Sequence, residues 1–151
     1  MPFRICKTFE IENGHMLSKH PDVCKFPHGH SRKVELILEA DTLDENDMVC
    51  DFKVLRETMH DFLQTWDHAL CVNTKDKRFK ELKGAYGDRV VGFEGVDPTT
   101  EIMAQRVFLA LRKNLLDYTN RGDAHYRARK AIRISRVRVW ETHSSWAEYV
   151  E

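Results

Sequence analysis

Residues 22–40 read DVCKFPHGHSRKVELILEA. In the second half of this stretch Val34, Leu36, Leu38 and Ala40 alternate with Lys33, Glu35, Ile37 and Glu39. Period-two alternation marks a strand with one face turned to a core. Carried backward, the core-facing parity takes in Arg32, His30 and His28. Side chains at i and i+2 of a strand leave the same face. The HGH motif therefore sets two imidazoles side by side at the mouth of a sheet, and Gly29 between them adds no side chain to the other face.

The flanking sequence supplies partners for this strand. In FRICKTFEIENGH (3–15), Phe3, Ile5, Phe9 and Ile11 share one parity, and His15 keeps it if the strand stays regular through Asn13 and Gly14. DFKVLRETMHDFLQTW (51–66) spaces Phe52, Leu55, Met59, Phe62, Leu63 and Trp66 as an amphipathic helix, with Asp51 as N-cap. WDHALCVN closes that helix and reads as the entry to a loop, and residues 74–96 read as an irregular segment in which RVVGF is a possible short strand. DPTTEIMAQRVFLALRKNLLDY (97–118) is a second helix, capped by Asp97 or a threonine, with Pro98 and Glu101 suited to its first turn. AIRISRVRVWE (131–141) is a strand whose two apolar sets differ in parity; a bulge near Ser135 would bring Ile132, Ile134, Val137, Val139 and Glu141 to one face. SSWAEYVE adds a last strand. The expected fold is α+β: a four-stranded antiparallel sheet with two helices on one face.

The chain has 151 residues, which fits one domain over 1–151 and can bury a core without disulfides or structural metal. Its 24 basic and 24 acidic residues cancel. That balance excludes a general affinity for nucleic acid or anionic membrane. The basic stretch Arg127–Arg138 lacks interleaved aromatics and reads as the solvated side of a strand and its approach. MPFRICKTFE has no signal-peptide character and no run could span a bilayer, so the cytoplasm is the expected compartment. The four cysteines show no CxxC spacing and read as free thiols; Cys6, Cys50 and Cys71 suit small core positions.

Three groups of residues can carry chemistry. An antiparallel neighbour would bring His15 beside His28 and His30, and three neutral imidazoles leave one position of a tetrahedral zinc open. Cys24, four residues before His28, has three readings: a thiolate base helped by a nearby metal, a fourth ligand that closes the site, or an inert buried thiol. Asp67 and His68 could form an acid/base pair, or His68 could simply suit the negative end of a helix. Glu141 ends an inward-facing row, where a carboxylate can accept paired hydrogen bonds from an amino-heterocycle.

Taken together, GHML, CKFPHGHS, MVCDFKVLRETM, WDHALCVN, DPTTE and VWETHSSWAEY resemble, in order, the motifs of the 6-pyruvoyltetrahydropterin synthase and 6-carboxytetrahydropterin synthase family. The resemblance implies a tunnelling fold (T-fold) protomer that assembles as a homohexamer of two stacked trimers. It implies Zn2+ on His15, His28 and His30, Cys24 as general base, and Asp67 with His68 as a proton relay, commonly brought to the cysteine across a subunit interface. Glu141 resembles the pterin anchor, with Thr99, Thr100 and Glu101 lining its pocket. The implied substrate is 7,8-dihydroneopterin triphosphate. The pyruvoyl branch eliminates triphosphate; the carboxy branch releases acetaldehyde, on the route to queuosine. The Cys-x-x-x-His-Gly-His spacing is more similar to the carboxy branch. ENGH stands where many relatives have Ala-Ala-His, DMVCDF lacks a common glycine, and 74–96 and 117–131 are longer than in compact bacterial members. These departures keep two alternatives in view: a non-catalytic zinc- or pterin-binding T-fold protein, and a synthase with a different pterin substrate.

Overall fold

Strands β1 (Phe3–Met16) and β2 (His28–Ala40) pair antiparallel over their whole length in a computed structural model that describes residues 1–151. Phe3 lies opposite Ala40 and His15 opposite His28. One register thus fixes the core and the site together, because a slip by one residue would turn every inward side chain outward. Val34, Leu36, Leu38 and Ala40 are fully buried, and so is His15.

Beyond this hairpin the chain adds α1 (Phe52–Trp66), β3 (Ala69–Asn73), α2 (Phe79–Tyr86), β4 (Val90–Phe93), α3 (Thr100–Asn120), β5 (Arg133–Thr142) and β6 (Ser145–Tyr149). The sheet has six strands in the order β4-β3-β1-β2-β5-β6. The expected four-stranded antiparallel sheet is corrected in two ways. Strand β3 occupies the stretch expected to be a loop, and β3 and β4 run parallel to their neighbours. Cys71 and Val72 are adjacent and both fully buried. A strand covered on both faces shows no alternation to read. The remaining pairs are antiparallel. The bulge falls on Ser135: Arg136 pairs with Ile37 and Ile134 with Leu38, which leaves Ser135 over. Ile132, Val137 and Val139 consequently all reach the core.

Helices α1 and α3 cover one face, as expected. Asp51 caps α1 by accepting from the Lys53 amide at 2.9 Å, and Thr99 caps α3 by accepting from the Ile102 amide at 3.2 Å. Leu55, Met59 and Leu63 of α1 meet Met103, Val107 and Leu111 of α3 and the inward row of β2 in one core. Each such side chain contributes about 1.5–3 kcal/mol on burial. The third helix, α2, lies in the segment expected to be irregular. Phe79 and Leu82 pack on Met16, Val72 and Val90, which face away from the main core, so α2 covers the opposite face at the β4 edge. None of its residues is buried, and over eight residues its Phe79, Leu82 and Tyr86 spacing is too short to declare a helix. Cys50 and Cys71 are buried, but Cys6 is exposed, because it takes the polar parity of β1. No helix is long and apolar enough to cross a membrane.

Candidate metal centre and its surroundings

The β1–β2 register brings His15, His28 and His30 together, with one donor atom from each lying within 4.8 Å of the others. The ring centroids are 4.5–5.1 Å apart. His15 Nδ1 is 2.8 Å from the Pro98 carbonyl and His28 Nδ1 is 2.7 Å from the Phe26 carbonyl. A carbonyl can only accept, so both Nδ1 atoms donate, and in a neutral ring this tautomer leaves the lone pair on Nε2. Backbone carbonyls holding the far nitrogen is the usual way metal-binding imidazoles are oriented. His15 Nε2 and His30 Nε2 are 3.2 Å apart, a spacing that needs a proton or a cation to relieve it.

The electrostatics favour neutral rings. Burial pushes the His15 pKa down to about 4; the Pro98 carbonyl opposes this, while Arg32, His28 and His30 reinforce it. Burial also lowers the pKa of His30, with Arg32 acting in the same direction and Glu141 against it. Neutral imidazole is the form that binds metal. The residues present therefore fit a metal ion with three nitrogen ligands. Cys24 sits half-buried in a 3-10 turn (Val23–Lys25) whose carbonyl accepts from the Leu17 amide at 3.0 Å. It is not among the clustered donors, so the geometry lends no support to a fourth-ligand role.

Glu141, at the end of β5, reaches the triad: its Oε1 is 3.7 Å from His15 Nε2 and 3.8 Å from His30 Nε2. Thr100 Oγ1 donates to the same oxygen at 3.1 Å. Thr99 uses its hydroxyl as the helix cap. Glu101 is exposed at the start of α3. Of the 99–101 segment, only Thr100 is bonded to Glu141.

Asp67 and His68 lie elsewhere. Asp67 Oδ1 accepts from the Glu12 amide at 2.8 Å, and Oδ2 is 3.0 Å from His68 Nδ1. The Glu12 N–H, helped by His68, holds the Asp67 carboxyl below the usual range. His68 has a left-handed backbone, φ 57°, at the junction of α1 and β3, and its side chain is 71% exposed. Glu12 carries the polar parity of β1, so the pair opens on the opposite face of the sheet from the triad. There it borders a cleft of about 520 Å3, also lined by Ser31, Tyr86 and Arg89. Within one chain the acid/base pair and the triad do not meet.

Three residues support the site in ways their sequence pattern did not assign. Asn13 donates to the Trp66 carbonyl at 2.9 Å and accepts from Arg32 Nε at 3.3 Å. Asp97 accepts from the Lys19 amide at 2.8 Å and from Asn73 at 3.0 Å, which ties the loop bearing Pro98 to both neighbouring segments. Arg32 is buried beneath His15. Its signal was visible: a charged residue on the inward parity of a core strand requires polar partners inside.

Comparison with known proteins agrees with this geometry. The family model described as 6-pyruvoyl tetrahydropterin synthase matches residues 4–151. The chain is 29% identical to 6-carboxy-5,6,7,8-tetrahydropterin synthase of Aquifex aeolicus, covering 100% of this chain and 99% of that one. An uncharacterized protein from Wolinella succinogenes has the same fold, with a TM-score of 0.78 at 21% identity and coverage of 100% and 99%. The 6-pyruvoyl tetrahydropterin synthase of Plasmodium vivax aligns with a TM-score of 0.73 at 14% identity and coverage of 100% and 98%. With a matching model that runs from β1 to the last residue, and a T-fold protomer built around a histidine triad, the chain belongs to the 6-pyruvoyl tetrahydropterin synthase family.

Proposed function

We propose that this chain is a single-domain, zinc-dependent lyase acting on 7,8-dihydroneopterin triphosphate, of the 6-carboxytetrahydropterin synthase type. The observation that carries the reading is the triad: three clustered imidazoles, two of them held at Nδ1 by backbone carbonyls, and Glu141 beside them. The choice of branch rests on the Aquifex relative, named a 6-carboxy enzyme, and on the short Cys24–His28 spacing.

In this reading His15, His28 and His30 hold the metal. When bound, zinc supplies a Lewis acid that polarises the hydroxyls of the pterin side chain. Glu141 accepts hydrogen bonds from the pterin ring and sets the distance from ring to triad. Cys24 Sγ removes a side-chain proton, and Asp67 orients His68 Nδ1 so that Nε2 can exchange protons with it. The opposed faces of Asp67/His68 and the triad support a site completed by a second copy. So do the exposed apolar side chains Val23 and Phe26 on either side of Cys24. The assembly proposed is the homohexamer, and four free thiols suit the reducing cytoplasm.

The test is a product assay. Zinc-loaded protein incubated with 7,8-dihydroneopterin triphosphate should consume water and yield 6-carboxytetrahydropterin, acetaldehyde and inorganic triphosphate, identified by mass. The 6-pyruvoyl product would move the assignment to the other branch. Folded, zinc-loaded protein that turns over neither way overturns the reading.

A further inference from the structure

Arg32 is only 1% exposed. No carboxylate lies within salt-bridge distance of it. A guanidinium in such a place is costly to bury unless its protons are matched. Its contacts are few and fixed. Nε donates to Asn13 Oδ1 at 3.3 Å and Nη1 donates to Thr100 Oγ1 at 3.2 Å. Nη2 lies 3.2 and 3.4 Å from the two ring nitrogens of His15. Those near-equal distances aim an Nη2 N–H between the two ring nitrogens.

The direction of the chain through Thr100 follows from chemistry alone. A guanidinium has no acceptor, so the Thr100 hydroxyl must accept from Arg32. The hydroxyl has one proton, and its other partner is Glu141 Oε1 at 3.1 Å. The proton therefore points at Glu141. The buried cation and the site carboxylate form an ion pair relayed by one hydroxyl, and charges at both ends strengthen both bonds. A carboxylate has about four lone-pair positions. Thr100 takes one, which leaves Oε2 and the second position on Oε1 for a ligand. That is the pair a two-point grip on neighbouring N–H groups requires.

We propose that Arg32 is a positioning residue for ligand recognition: through the Thr100 hydroxyl it fixes the plane in which Glu141 presents its carboxylate to an N–H-bearing heterocycle. The proposal rests on the pterin reading of Glu141 given above. It adds a residue outside the pocket that sets how well Glu141 grips, and Asn13 holds that residue from behind.

The experiment measures neopterin binding by fluorescence to the zinc-loaded protein, with zinc content and Tm recorded for each variant. Thr100→Val should weaken neopterin about 10- to 100-fold, the scale of one hydrogen bond to a charged group. Thr100→Ser should restore it. Arg32→Met should weaken it by a similar factor, and Arg32→Lys, which keeps the charge but not the fork, should fall between. In the Thr100→Val background, changing Arg32 should add little, because the relay is already broken. Zinc content should hold throughout. If Arg32→Met does not fold, Arg32→Lys completes the same cycle. Folded variants that bind neopterin like the wild type, or losses that simply multiply, overturn the relay. Wild type that fails to bind neopterin, or is indifferent to Glu141→Gln, overturns the pterin reading itself, and the relay with it.

Discussion

The proposed metal ligands and Cys24 make separable demands. Replacing His15, His28 or His30 by alanine is expected to abolish stoichiometric zinc, measured by elemental analysis on the folded protein. Cys24→Ala is expected to retain zinc and lose rate by about 10²–10⁴-fold, the range of a general base; loss of zinc instead would make the cysteine a ligand. His15 also imposes a pH dependence on the metal-free chain. Its pKa is about 4 when folded and near 6.5 when unfolded. Between those values the unfolded state binds more protons, so stability rises with pH. The contribution is fully present above about 6.5 and is lost as pH falls toward 4, on the order of 3 kcal/mol in all. Urea midpoints of zinc-free protein at pH 4.5 and 7 should show it, and His15→Gln should flatten the difference. At this scale the sequence was informative where parity was informative. His28 and His30 were placed by alternation, and Glu141 by alternation together with the bulge at Ser135. The roles of Asn13 and Asp97 were not legible, because each works through hydrogen bonds to residues 19 to 78 positions away.

Strand β5 shows how one residue controls an element. With Ser135 left over, Val137, Val139 and Glu141 face inward with Ile134. Deleting Ser135 would restore regular pairing and turn either the first half or the second half of the strand outward. The expected result is insoluble protein, or soluble protein with weakened near-UV circular dichroism and no affinity for neopterin. Ser135→Ala keeps the bulge and should stay within about 0.5 kcal/mol of wild type in chemical denaturation. The bulge could be read from sequence because two apolar sets of opposite parity sat in one strand. Strand β3 could not, since only five residues long and buried on both faces it has neither length nor alternation. Helix α2 was missed for the converse reason: it touches the fold through Phe79 and Leu82 at an edge and buries neither fully.

At the scale of the whole molecule, the opposed faces of the triad and the Asp67/His68 pair make a prediction about mixtures. Cys24→Ala and His68→Ala proteins should each be inactive, yet mixed assemblies formed by refolding them together should regain part of the activity, because some sites then receive both groups from different copies. Inactive mixed assemblies, verified by mass, would place both groups in one protomer's site. The faces of the sheet that these groups occupy were not legible in the sequence, since they depend on where the chain crosses from α1 into β3, a strand the alternation did not reveal. His68 makes that crossing with φ 57°, a conformation that costs a residue with a Cβ about 1 kcal/mol. Glycine would adopt it freely. His68→Gly and His68→Ala should both lack activity, yet the glycine protein should be the more stable by about 1 kcal/mol in urea. Under selection for robustness alone, this position would drift toward glycine. A histidine kept there measures how much stability the molecule gives up to retain an imidazole at that corner.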